Sequence, residues 1–199
     1  MEISKQEIRN HLFDNFSFYR KIDQYKTHFD SLVVSTIEKL KKSGIDTIGV
    51  YEEKYIGSLS PDSCLCGLIP WVAYLQWKKN GITYNQKITE CCKSDPTKIK
   101  NSMLIEYYIA CKKLIQPEII FPTITGASKN VKGELLYKIS IIDHTTQYSI
   151  YCNLKHDFKL TSFKQSYLDD QKSIFYHDNL EARIRSWHKI IINQIIELK

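Results

Sequence analysis

Pro70-Trp71-Val72-Ala73-Tyr74-Leu75-Gln76-Trp77-Lys78-Lys79-Asn80-Gly81-Ile82-Thr83-Tyr84-Asn85-Gln86-Lys87-Ile88-Thr89 is the stretch on which the fold turns. Pro70 suits the first turn of a helix, where its missing N–H has no partner to lose. Trp71, Val72, Tyr74, Leu75 and Trp77 then cover most of a helix circumference. That pattern predicts a buried helix running to about Lys79, closed by Asn80-Gly81. Thr83-Tyr84-Asn85-Gln86 has capping-box spacing and predicts a short helix to about Cys92. Ser94-Asp95-Pro96 starts the next helix. It would carry Ile99, Met103, Tyr107, Ala110, Cys111 and Leu114 on one face and end at Pro117.

The same region concentrates the charge. Between residues 78 and 113, Lys78, Lys79, Lys87, Lys93, Lys98, Lys100, Lys112 and Lys113 face only Glu90, Asp95 and Glu106. The excess is +5, out of +6 for the whole chain. A localised basic face predicts an acidic partner, nucleic acid or an acidic protein. Gln86–Ser102 can be set against a helix-turn-helix. Ile88 and Cys92 would be core positions, Lys93-Ser94-Asp95 the turn, and residues 96–103 the recognition helix. Lys87, Lys93, Thr97, Lys98, Lys100 and Asn101 are then the candidate contacts, since these residue types reach phosphates and base edges. Lys93 and Ser94 depart from the pattern, which favours a small residue and an apolar one there.

Working outward, Ser4-Lys5-Gln6-Glu7 is a capping box that starts a short helix. Ile22, Tyr25, Phe29, Val33, Ile37 and Leu40 recur at helical spacing, with Gly44 as the stop. Residues 45–59 read as a small hairpin turning at Glu52-Glu53. Beyond Pro117 the period becomes that of strands, at 118–124, 135–142, 148–154 and 158–163. Residues 143–147 would connect the second and third of these, and 125–133 would be loop. Asp178-Asn179-Leu180-Glu181 caps a closing helix whose stripe is Leu180, Ile184, Trp187, Ile191 and Ile195.

The expected fold class is therefore α+β. A helical N-terminal half would pack on a three- to four-stranded antiparallel sheet, closed by a C-terminal helix. The chain reads as one domain over 1–199, with a subdivision near residue 117. Residues 1–116 would be mainly helical, and 117–199 antiparallel sheet plus the C-terminal helix.

Composition sets outer limits. With 43% hydrophobic and 25% charged residues over 199 positions, the chain can bury roughly 70% of its unfolded surface without staples. Its N-terminus has no signal-peptide pattern, and its longest apolar run is far short of the ~20 residues that span a bilayer. A cytoplasmic location without membrane contact is expected, with the six cysteines as reduced thiols.

Four further residue patterns bear on chemistry beside the basic face. A thiol at a helix N-terminus is activated by the helix dipole. Cys64 or Cys66 with His144 or His156, oriented by Asp143, Asn153 or Asp157, would make a thiol-dependent hydrolase or transferase. Cys64, Cys66, Cys91 and Cys92 lack the spacing of a structural zinc site, so no metal is expected. Asp143 with Asn153-Leu154-Lys155 lacks the second carboxylate of a metal-dependent nuclease. Residues 125–133 do not form a phosphate cradle, and no cofactor is expected. The reading that needs fewest coincidences is a non-enzymatic binding or accessory protein acting through the basic face. Oligomeric state is not legible in the sequence.

Overall fold

Trp71–Lys79 and Ile82–Thr89 are the two arms of a β-hairpin, and Asn80-Gly81 is its turn. Asn80 and Gly81 both take positive φ, at 51° and 76°. That is the signature of a type I′ turn, whose twist matches two antiparallel strands. The structure is a computed structural model that describes residues 3–16, 24–56, 71–90, 92–140, 145–155 and 157–198.

In chain order the elements are α1 (Lys5–Phe16), α2 (Tyr25–His28), α3 (Ser31–Lys42), β1 (Thr47–Ile56), β2 (Trp71–Lys79), β3 (Ile82–Thr89) and β4 (Thr97–Ile99). They continue with α4 (Met103–Ile115), β5 (Ile124–Lys129), β6 (Leu135–Ile139), β7 (Thr145–Leu154), β8 (Asp157–Lys164), α5 (Gln165–Asp169), α6 (Tyr176–Glu181) and α7 (Arg183–Glu197). Six strands form one antiparallel sheet in the order β4-β3-β2-β1-β7-β8, and β5 pairs with β6 separately.

This mixed α+β architecture corrects the expected fold class. The N-terminal half is not a helical layer, because it supplies four of the six strands of the main sheet. Residues 71–75 are all apolar because the sheet is covered on both faces. Trp71, Ala73, Leu75 and Trp77 pack with α2 and α3, while Tyr74 packs with α4 and α7. A strand buried on both faces loses the alternation that distinguishes it from a buried helix.

The other corrections follow the same logic. Residues 47–56 are one ten-residue strand and not a hairpin. Of the expected strand 118–124, only Ile124 lies in a strand, and 124–129 is β5 and not loop. β6 does not pair with β7. It pairs with β5, and β7 lies between β1 and β8. Ile22 lies outside the described residues; from residue 24 on, the helix expected over 22–40 is divided, because Phe29 is extended and Asp30 caps a fresh helix by accepting from Leu32 N at 2.8 Å. β8 matches its expected segment, but the closing helix starts later than expected: the capping residues 178–181, with Leu180, belong to α6, and α7 begins at Arg183 after the extended Ala182. Ile184, Trp187, Ile191 and Ile195 form the buried stripe of α7.

α4 lies against the middle of the sheet, and Gly49 lets it come that close. A Cβ at Gly49 would stand 2.5 Å from Leu104 Cδ2. Ser102 caps α4 by accepting from Ile105 N at 3.1 Å. Apart from the sheet, α1 packs Ile8 and Leu12 against Phe121, Ile124 and Phe175, and Lys5 and Arg9 both pair with Asp178. Among the described residues no helix is long and apolar enough to cross a membrane.

Candidate functional site

The stretch read as a basic helical face is not helical over 82–99, where it forms β3 and the outermost strand of the sheet. After β3 the chain folds straight back. Ser94 N donates to Lys87 O at 2.9 Å, Thr89 N donates to Cys92 O at 2.8 Å, and Gln86 Nε2 donates to Ser94 O at 2.6 Å. This return leads into β4, the outermost strand, and every residue from Cys92 to Lys98 is exposed. The helix-turn-helix reading is therefore corrected. Its first helix falls in β3, its recognition helix holds only the three-residue strand β4 within irregular chain, and the true helix begins at Met103, after the Ser102 cap. Thr-Tyr-Asn-Gln has capping-box letters, but in β3 those residues alternate across the sheet.

Register fixes which face each lysine takes. Lys98 lies opposite Tyr84, and Tyr84 opposite Trp77, on the α3 side. The Trp77 and Tyr84 rings stack with centroids 5.6 Å apart. Lys93 lies opposite Ile88 on that same side, where its Nζ donates to Thr36 Oγ1 at 3.0 Å. Burial of that amine, and then the nearby charge of Lys39, lowers its pKa. Lys87 lies opposite Tyr74 on the other face. Thr97 Oγ1 is taken up by Asn85 O at 3.2 Å. Asn101 is tied to α7, its carbonyl accepting from Gln194 Nε2 at 2.9 Å. Lys100 sits in the short link before α4.

Two of the eight lysines have carboxylate partners. Lys78 pairs with Glu106 at 3.3 Å, and Lys112 pairs with Asp157. Among the described residues, Lys79, Lys87, Lys98, Lys100 and Lys113 form no ion pair. The structure thus brings Lys87, Lys93, Thr97 and Lys98 to one open edge, with Lys39 beside them. Cys64, Cys66, His144 and His156, the centre of the thiol reading, lie outside the described residues. Asp157, at the start of β8, is engaged by Lys112. No group of three or more His, Cys, Asp or Glu among the described residues is placed to hold a metal ion.

Two polar clusters went unread in the sequence. On the α4–α7 face, Glu53 accepts from Tyr51 Oη at 3.1 Å and from Tyr55 Oη at 3.0 Å. His188 Nδ1 lies 3.2 Å from Tyr51 Oη. Because the Tyr51 proton goes to Glu53, His188 supplies the Nδ1–H of that contact. On the opposite face, His28 Nε2 lies 2.9 Å from Ser149 Oγ, and Lys54 Nζ lies 3.0 Å from Glu52 Oε1. Burial, reinforced by Lys54, lowers the His28 pKa to about 4, and burial raises that of Glu52. The signal that could have found both clusters is the alternation Tyr51-x-Glu53-x-Tyr55 against Glu52-x-Lys54. It was hidden by reading Glu52-Glu53 as a turn.

Comparison with family models, with curated proteins and with solved structures finds no match.

Proposed function

We propose that this protein is a non-enzymatic binding protein, acting in a reducing, cytoplasmic setting, that receives an acidic polypeptide along the Cys92–Lys98 edge. The observation that carries this is the exposed outer strand, with Lys87, Lys98 and Lys100 free of carboxylates among the described residues. An edge strand offers unpaired backbone groups to an added strand, and flanking lysines select an acidic one. A polypeptide is favoured over nucleic acid because the helix that would have entered a groove is a three-residue strand. Lysines within a Debye length of about 10 Å at 0.1 M salt act together on such a partner.

The test is fluorescence anisotropy of a labelled glutamate-rich peptide and, separately, of single-stranded DNA, with the wild type and Lys98→Glu/Lys100→Glu. Among the described residues neither lysine makes an ion pair, so the variant is expected to keep its fold. Salt-sensitive peptide binding that the variant loses is the expected result. Binding of DNA alone, with a slope of about −0.7 per phosphate contact on a log–log salt plot, assigns the edge to nucleic acid instead. If neither binds, or if the variant instead self-associates, the lysines only keep the edge from pairing, and the proposal fails.

A further inference from the structure

Glu53 stands in a tyrosine box. Tyr51 and Tyr55 are two residues away on the same strand and so on the same face, and Tyr148 is its direct cross-strand neighbour on β7. On its fourth side, across β2, stands Val72. Tyr51 and Tyr148 stack with centroids 6.1 Å apart, and His188 backs Tyr148 at 4.2 Å. Tyr51 and His188 are buried and form the floor, while Glu53, Tyr55 and Tyr148 are partly exposed and form the rim.

The chemistry of the box is one-sided. Both tyrosine protons are already given to the carboxylate, so the described walls present ring faces and carboxylate lone pairs but no hydroxyl donor from Tyr51 or Tyr55. Among the described residues, no lysine or arginine pairs with Glu53. Arg185 and Lys189, which bear on His188, make no ion pair with it either. Burial and then the Glu53 charge raise the pKa of Tyr148; a Thr146 hydrogen bond opposes the rise and Asp169 adds to it. Aromatic faces and a carboxylate both attract cations and offer nothing to an anion.

We propose that Glu53, Tyr51, Tyr55 and Tyr148 form a binding site for an organic ammonium ion. Its N–H or N–CH3 groups would meet the free lone pairs of Glu53, and its carbons the Tyr55 and Tyr148 rings. The same chemistry is carried by a small free amine and by a lysine side chain of a protein partner.

The test titrates the intact protein with choline, with its neutral isostere 3,3-dimethylbutan-1-ol, with n-butylammonium, and with an acetylated, amidated Gly-Lys-Gly peptide. Tyrosine ring NMR shifts are the readout. Saturable shifts with the cations and none with the alcohol are expected. Glu53→Gln should weaken binding about ten-fold, and Tyr148→Leu about three- to five-fold. Tyr55→Phe keeps the ring and should keep the preference for choline over the alcohol, which guards against a folding defect in the other variants. Tighter binding of the peptide assigns the site to a protein's lysine, and tighter binding of the free cations assigns it to a small amine. Either result supports the ammonium site. Equal binding of the alcohol, an unaltered Glu53→Gln, or no saturable shift with any cation overturns it.

Discussion

Gly49 on β1 and Leu104 on α4 occupy the same space in turn. An added Cβ at Gly49 would lie 2.5 Å from Leu104 Cδ2 and 2.7 Å from its Cγ. The Cγ is near the root of the side chain, so no simple rotation clears it. Leu104 is fully buried among Tyr51, Tyr108 and Trp187.

Gly49→Ala is therefore expected to destabilise the protein by about 1–3 kcal/mol, the usual penalty of overpacking a dense core. The lower chain entropy of alanine in the unfolded state works the other way but is smaller, about 0.4–1 kcal/mol. Urea unfolding of Gly49→Ala, and of Gly49→Ala with Leu104→Ala, measures it. The double variant should lose less than the sum of the two single ones, because each substitution makes room for the other. Strict additivity would mean that the helix shifts as a body and the contact is not specific.

That contact also marks where the sequence stopped being legible. The closing helix was readable because its stripe recurs at 3.6 residues and one face meets water. β8 was readable only in part: Phe158-x-Leu160 alternates, while Phe163 turns to the opposite face. β2 was not, because both of its faces are covered and Trp71 to Trp77 shows no period. Asn80-Gly81 then serves as a helix stop or a hairpin turn, and only the partner strand decides. The basic face was found as a charge count, which does not depend on secondary structure. Its helical shape was wrong because capping-box letters occur in strands too. The Glu53 box needed the register of β1 with β7, a pairing about a hundred residues apart that no local window contains.

Acidity should weaken the fold through two histidines. Burial holds His28 near a pKa of about 4, with help from Lys54, and burial holds His188 near about 4, with help from Arg185 and Lys189. In the unfolded chain both would titrate near 6.5. Between those values the unfolded state binds protons that the folded state refuses, so stability is full above about pH 6.5 and falls as the pH drops toward about 4. Thermal melts from pH 7.5 down to 4.5 should show this decline. A His28→Gln/His188→Gln variant should show a shallower one. An identical slope in the variant would assign the decline to other groups.

Glu52 pulls the opposite way, and its removal is the sharpest stability test. Its residue is fully buried, and Lys54 Nζ lies 3.0 Å away, yet neither carboxylate oxygen has a hydrogen bond among the described residues. Burial raises its pKa more than Lys54 lowers it, and Asp30 adds to the rise. A carboxyl with a raised folded pKa destabilises the fold at neutral pH and recovers that loss as the pH falls and it gains a proton. Removing one partner of a buried pair is costly when it strands the other charge in the interior, and the desolvation of the carboxylate is recovered when it does not. Lys54 is partly exposed, so it can turn to water once the carboxylate is gone. Glu52→Gln is therefore expected to raise the urea midpoint at pH 7 by the equivalent of about 1 kcal/mol. The gain should shrink on acidification, as the native carboxyl becomes neutral by itself. The histidine-driven decline should be steeper in this variant than in the wild type, since the opposing titration is gone. A variant less stable at pH 7 would instead establish that the Glu52–Lys54 pair outweighs its desolvation and holds β1 in place.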